Sequence, residues 1–405
     1  MPAMPNTGYD VCIRGAGIVG RALALRLGQA KLRVALVDQS VATTRPEAAR
    51  DVRAYALNHA SRHLLQQMRC WPEAAAATAV RHMRVYGDAG GAVHFDGDAR
   101  ATSASAPQDG PDDALAWIVD VPALEDMLAA ALRFQPSVDI VTTPVEAPLT
   151  ALCEGRDSAS RTAVGVQFDV HDYPQHAVAT RVRASQPHQG TAYQWFHGPH
   201  ILALLPLDGP EGDGFAVVWS TDAAIAAELV TLTPEAFIAR MAETIATASA
   251  RHPMPATMAD LTGWTTIAPR VRWPLRLAQA RQWAGQMPDS ASSSWVLLGD
   301  AAHNVHPLAG SGLNLGLGDV AALSDALLGR PQWRSVADMR LLRNYARQRK
   351  SALLPYAVAT DGLQWLFWQD RPALEALRNW GMRGFSASGP LKQWVMRLAM
   401  SGAQP

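Results

Sequence analysis

Residues 9–38 read YDVCIRGAGIVGRALALRLGQAKLRVALVD. The apolar run 9–14 predicts a short buried strand. Val19, Leu23 and Leu27 recur at helical spacing and predict a helix over 18–30, and 33–38 predicts a second strand. Gly15, Gly17 and Gly20 form GxGxxG between that first strand and the helix, so the backbone can turn tightly and bring helix N-terminal N–H groups close to a pyrophosphate. Ile18 and Val19 complete this candidate cofactor-binding turn. Asp38 closes the second strand, where a carboxylate can accept hydrogen bonds from ribose hydroxyls. The reading is a dinucleotide-binding βαβ unit, and the motif alone does not separate NAD from FAD.

At 405 residues and 43.5 kDa the chain is long enough for two or three lobes at about 150 residues each. Thirty-six Lys and Arg balance 36 Asp and Glu, which argues against a nucleic-acid partner, and a 48% hydrophobic share fits an ordinary globular chain. Cys12, Cys70 and Cys153 are too scattered for a disulfide framework or a zinc site, so a reducing, cytoplasmic setting is expected. The opening MPAMPNTGYDVCIRGAG lacks the features of a signal peptide, and no apolar run is long enough for a membrane span. Any membrane contact is expected to be peripheral, at the inner membrane.

Further along, 55–68 reads as helical, followed by strand-like MRVYG and AVHFD and an exposed loop, DGDARATSASAPQDGPDD. A helix is predicted over 122–134, opened by Pro122, and then β-like stretches near 138–142, 149–154, 176–184, 191–205 and 214–220. Residues 222–250 read as helical. SSSWVLLGDAAH reads as a buried strand entering a loop that can rejoin the first sheet, with a helix over 313–328. From 334 onward the chain reads as mostly helical and is rich in Lys and Arg.

The stretch 299–320, GDAAHNVHPLAGSGLNLGLGDV, discriminates further. An acid after a strand, a proline-containing loop and glycines opening a helix suit a flavin. Gly299 and Asp300 can serve its ribityl chain or pyrophosphate side, while Gly310, Gly312, Leu313 and Asn314 can direct backbone N–H groups at the ring's pyrimidine edge. His303 and His306 lack a third ligand of suitable spacing, so no metal is expected there.

GAGIVG, RAYALN and GDAAHNVHPLAGSGLNLG together resemble the FAD-dependent aromatic hydroxylases of the ubiquinone-biosynthesis type, which are class A flavoprotein monooxygenases. AYQWFH at 192–197, ILALLPL at 201–207, VVWS at 217–220, RWPL at 272–275 and the tail RNWGMRGF…GPLKQWVMRLAMS extend the likeness over nearly the whole chain. The resemblance implies an α/β (α+β) fold with a Rossmann-like, glutathione-reductase-type FAD domain formed by 1–80, 115–175 and 285–330. A β-sheet substrate domain would comprise 81–114 and 176–284, and a C-terminal helical region 331–405. It implies FAD as cofactor, NAD(P)H as electron donor, and dioxygen as the source of an oxygen atom placed on the ring of a polyprenylated phenol or quinone precursor.

By the same resemblance Arg53 contacts the flavin and Pro307 shapes the loop facing its ring, and these two are the candidate catalytic residues. CEGRDSASR stands at the family's third motif with Glu154 and Gly155 where Asp-Gly is usual. Ser311 stands where Gln is usual, and Val121-Pro122 where Asn or Arg is common. Trp365, Trp368, Trp380 and Trp394 among basic residues suit peripheral membrane contact, or partners in a ubiquinone-biosynthesis complex. Alternative readings are a flavin hydroxylase of another apolar aromatic substrate and a non-catalytic assembly subunit of that pathway.

Overall fold

The computed structural model describes residues 8–39, 51–87, 91–97, 114–198, 200–250, 258, 261–304 and 312–368, with 354–368 described as helix backbone. The opening segment forms strand Val11–Arg14, helix Ile18–Gln29 and strand Val34–Val37. These strands lie in a six-stranded sheet whose order is Ala284–Met287, Ser290–Leu297, Leu149–Leu152, Val11–Arg14, Val34–Val37, Val138–Val141. Neighbours are parallel except at the Ala284–Met287 edge hairpin. Strands such as VALV and LTAL are buried throughout, as a parallel sheet covered on both faces requires. The late strand does rejoin the first sheet, pairing Ser294–Leu297 with Leu149–Leu152.

Helix Ile18–Gln29 packs against helices Val121–Arg133 and Gly312–Leu328 through Leu23, Leu27, Leu124, Leu128, Leu317 and Val320, all in one buried cluster. A second, nine-stranded sheet is built around the long strand Phe168–Arg183, which pairs antiparallel with Gly214–Asp222 and with Val271–Ala280. Helices Ala223–Thr231 and Pro234–Ala248 cover it, and Trp195, Phe215, Trp219, Phe237 and Met241 fill the space between. A three-stranded antiparallel sheet, Ala54–Leu57, Ala116–Asp120 and Ala77–Val80, completes the fold.

Three expected elements divide. Residues 55–68 form strand Ala54–Leu57 and then helix His59–Gln67, because Asn58 caps the helix by accepting a hydrogen bond from the Ser61 N–H at 2.9 Å. Arg53 therefore precedes a strand, whose edge pairs with Ala116–Asp120, and not a helix. The stretch 191–205 is a hairpin, with strands Thr191–His197 and His200–Pro206 joined through Gly198 at φ +51°. The helical stretch 222–250 breaks at Leu232, and Thr233 and Pro234 restart it as N-cap and first-turn proline. The loop expected near residue 105 and the tail from 369 lie outside the described residues.

The long helix Met339–Trp368 is fastened to this framework by a buried charge cluster. Asp319, fully buried, accepts from Arg349 Nε at 2.7 Å, from the Gly299 N–H at 2.9 Å, and lies 2.7 Å from His303 Nε2. Tyr345, one turn before Arg349, donates to the Leu297 carbonyl at 3.1 Å. Burial alone would raise the Asp319 carboxyl pKa, but His303 and Arg349 outweigh it and hold the group below its ordinary value. A carboxyl depressed in this way contributes stability that is complete above its unfolded pKa of about 4 and is lost as the pH falls through the folded value. Asp319→Asn leaves the buried guanidinium of Arg349 without its counter-charge and should cost about 3–5 kcal/mol in urea denaturation at pH 7. The difference between the two proteins should narrow below pH 4; an equal difference at pH 7 and pH 3 would refute the assignment.

Candidate cofactor site

Strands Val11–Arg14, Leu149–Leu152 and Ser290–Leu297 lie side by side and run parallel. Their carboxyl ends bring Gly15–Gly17, Glu154–Gly155 and Gly299–Asp300 to one edge of the sheet, which is where open α/β sheets bind ligands. Sequence positions nearly 300 residues apart are thus assembled by strand pairing.

The glycines of the first turn do different work. Gly15 adopts φ +107°, and a Cβ there would stand 2.5 Å from the Cys153 carbonyl oxygen. A Cβ on Gly20 would overlap the Gly15 carbonyl. Both are needed for the backbone to close on itself. A Cβ on Gly17, by contrast, meets nothing within 4 Å. Gly17 is the N-cap of helix Ile18–Gln29 and offers it no side-chain cap, so the first-turn N–H groups are left for another acceptor. An open approach to uncapped amides at a helix start fits the pyrophosphate of FAD. Val19 packs elsewhere: added Cβ atoms on Gly299 and Gly316 would lie 3.2 and 2.8 Å from its Cγ2, so it locks the early turn to the late motif. Ile18 is likewise buried.

Asp38 ends its strand as expected but is buried, with a carboxylate oxygen 3.5 Å from Arg21 Nη2. Glu154 accepts from the Ser158 hydroxyl at 2.7 Å and the Ser160 N–H at 3.0 Å, and pairs with Arg14 Nε at 3.3 Å. Burial would raise its carboxyl; the hydrogen bonds from Ser160 and Ser158, with Arg14, reverse the direction and lower it. Glu in place of the usual Asp is therefore fully partnered, and it organises the turn that leads into helix Ala159–Ala163. Arg161 in the same segment donates to the Ala301 carbonyl at 3.1 Å and covers the Phe168 ring at 3.7 Å, joining this turn to the late motif.

Arg53 is held by Asp51, with Nε 2.9 Å from both carboxylate oxygens, and its Nη1 donates to the Tyr55 hydroxyl at 3.3 Å. Asp51 raises the Arg53 pKa, keeping it charged at every accessible pH. Arg181 crosses from the nine-stranded sheet to donate to Asp120 at 2.8 Å and to the Val52 carbonyl at 3.1 Å, which fixes the segment carrying Arg53. Asp300 is accessible to solvent yet crowded by protein, and no hydrogen bond reaches its carboxylate from the described residues. Burial raises its pKa, with His303, Arg156 and Arg53 opposing and Asp319 adding to the rise. The Tyr55 hydroxyl is raised by burial as well and feels Arg53, Asp300, Asp51 and Arg156. Asp300, Tyr55, Arg53, Arg156 and Asp51 thus act on one another electrostatically, and a carboxylate with guanidinium groups in its surroundings suits the hydroxyls and phosphates of FAD.

Leu313 places its side chain in the core, so only its backbone is free to face a ligand. Asn314 uses its side chain internally: Oδ1 accepts from the Asn58 N–H at 3.0 Å and the Ser61 hydroxyl at 2.7 Å, and Nδ2 donates to the Ala56 carbonyl at 2.7 Å. Gly312 begins its helix. Pro307, Gly310, Ser311 and His306 lie outside the described residues. Sequence reading missed Asp51, Tyr55, Arg156, Asp319 and Arg349. Asp319 stands inside the quoted 299–320 stretch, and its place one turn beyond Leu315 was its only signal.

Gly17→Val is the clean probe of the open approach, since Gly15→Val would instead collide with backbone. The variant should retain wild-type stability within about 1 kcal/mol and lose at least tenfold in FAD affinity by fluorescence titration. Wild-type affinity would remove this turn from the site. Asp300 is a second probe with opposite signs. A carboxyl whose pKa rises on folding contributes stability below its unfolded value and loses it as the pH climbs through the folded one. Asp300→Asn should therefore leave the cofactor-free protein at least as stable at pH 7, while FAD dissociation rises about ten- to a hundredfold, the worth of a charge-assisted hydrogen bond. A less stable apoprotein with unchanged FAD affinity would contradict both assignments.

A family model described as an FAD binding domain matches residues 123–354. Ubiquinone hydroxylase UbiL of Rhodospirillum rubrum is 26% identical over 417 residues, covering 96% of this chain and 89% of that protein. The human ubiquinone biosynthesis monooxygenase COQ6 is 31% identical over 273 residues, covering 61% of this chain and 55% of its own length. Among solved structures, p-nitrophenol 4-monooxygenase PnpA from Pseudomonas putida DLL-E4 superposes with a TM-score of 0.71 at 18% identity, covering 98% of this chain and 99% of that one, a likeness of fold. With a family match over more than half of its length, this chain belongs to the FAD-binding domain family.

Proposed function

We propose that this protein is an FAD-dependent monooxygenase that uses NAD(P)H and dioxygen to hydroxylate the aromatic ring of a polyprenylated phenol, a precursor of ubiquinone. The observation that carries this reading is the likeness to a ubiquinone hydroxylase along 96% of the chain, joined to the glycine-bearing turns that meet at the ends of the three parallel strands. Bound FAD would supply the electron transfer and oxygen activation. The chain supplies binding and alignment. The Gly15–Gly20 turn, with Ile18 and Val19, would take the pyrophosphate side and Asp38 the ribose. Asp300 would accept hydrogen bonds from the cofactor's hydroxyls, and Gly299, Gly310, Gly312, Leu313 and Asn314 would present backbone N–H groups.

Arg53, kept charged and oriented by Asp51 and Tyr55, would hold positive charge at the site, and Pro307 would shape its loop. Glu154 acts one step back, through the turn that it organises. The FAD lobe would be discontinuous, formed by 1–80, 115–175 and 285–330, with the substrate lobe from 81–114 and 176–284. Partners in a ubiquinone-biosynthesis complex and peripheral membrane contact through 331–405 belong to the same proposal; no helix among the described residues is long and apolar enough to cross a membrane.

The test combines a visible spectrum of the purified protein, with and without added FAD, and NAD(P)H oxidation in the presence of a short-chain prenylated phenol under ¹⁸O₂. Flavin bands, substrate-dependent oxidation and one labelled oxygen in the product are expected. A colourless protein after reconstitution, or NAD(P)H oxidation that leaves the phenol unlabelled, would defeat the proposal.

A further inference from the structure

A concave feature, which shares no residue with the cofactor site, lies between the edge hairpin and the long helix. It is a groove of about 470 Å³. Arg343, Arg347 and Lys350 enter it from one face of the helix, at i, i+4 and i+7, and Gln282 and Trp283 line the opposite wall. Among the described residues no Asp or Glu lines it. Arg343 and Arg347 have neither an ion pair nor a hydrogen bond among the described residues, whereas Arg334 and Arg349 nearby are paired with Asp338 and Asp319. Lys350 Nζ donates to the Arg281 carbonyl at 2.6 Å and stands 6.0 Å from the Trp283 ring centroid.

Like charges four residues apart on a helix repel one another, and here no carboxylate of the groove relieves them. A guanidinium fork matches phosphate oxygens in pairs, and an ammonium adds a point charge. We propose that this groove binds a phosphate group through Arg343, Arg347 and Lys350, with Gln282 as a further polar contact. Burial lowers the Lys350 ammonium's pKa, and a bound anion would reverse that direction. The site stands on its own residues and does not depend on the activity proposed above. Two sources share its chemistry, a soluble phosphate-bearing metabolite and a phospholipid headgroup.

Full-length, FAD-saturated protein is compared with Arg343→Gln/Arg347→Gln, whose changed side chains are exposed, and with Arg133→Gln/Arg340→Gln, which removes equal charge from outside the groove. One arm titrates inorganic pyrophosphate calorimetrically at fixed ionic strength; the other measures co-sedimentation with phosphatidylcholine vesicles containing phosphatidylglycerol, against phosphatidylcholine alone. The groove variant should bind at least tenfold more weakly in one arm or both, with FAD content unchanged and the control at the wild-type level. Loss in the pyrophosphate arm assigns a soluble ligand, and loss in the vesicle arm alone assigns a headgroup. No binding by the wild type in either arm, or equal weakening by the control pair, overturns the proposal.

Discussion

Parallel pairing of Leu149–Leu152 with Val11–Arg14 on one side and Ser290–Leu297 on the other is the constraint on which the candidate site rests. Val11–Arg14 and Leu149–Leu152 are short and nearly fully buried, and Ser290–Leu297 is buried over its last four residues, the ones that pair with Leu149–Leu152, so the register is set by the core that they fill. Parallel strands release their loops at the same end of the sheet, so the three turns at Gly15, Glu154 and Gly299 meet because the strands beneath them are aligned. A shift of one residue in the central strand would turn its buried side chains to the wrong face and carry Glu154 away from Arg14 and Ser158.

The Gly299–Asp300 turn rests on a buried polar cluster. Asp319 gathers a backbone N–H and a histidine from the 299–303 stretch and an arginine from the long helix around one carboxylate. Trp283 stacks on His303 with ring centroids 5.1 Å apart, which seals the cluster on its outer side. Inside a low-dielectric interior such a group is costly unless every partner is present. The network therefore specifies one position for the Gly299–Asp300 turn relative to the long helix. Asp300, immediately adjacent, is crowded by protein and accepts no hydrogen bond from the described residues. A turn whose supporting groups are satisfied behind it is what a preorganised binding surface requires, because that shell cannot relax.

Much of this was legible in residues. GAGIVG with its flanking strands gave the turn and the helix within a residue or so, since the glycine spacing and the apolar periodicity are local. The 292–303 stretch gave the returning strand. The RAYALN segment misled, because its apolar alternation fits the start of a helix as well as a strand, and only pairing with Ala116–Asp120 and capping by Asn58 decide between them. Roles within the motifs were also hidden. Val19 and Asn314 read as cofactor neighbours, yet the fold uses their side chains to bind motif to motif.

The sequence by itself determined the βαβ opening and the returning strand, because each depends on residues close together along the chain, and the class of cofactor became legible only when the glycine motif at 15–20 was read together with the stretch 299–320. Tertiary structure alone decided that Arg53 answers to Asp51 and Tyr55, that Glu154 is spent on Arg14 and two serines, and that Asp319 unites Gly299, His303 and Arg349. It also decided that Arg343 and Arg347 face a groove without a carboxylate. Ion pairs and hydrogen bonds between distant segments leave no periodicity or spacing along a chain; their geometry exists only once the sheet has brought those segments within a few ångströms.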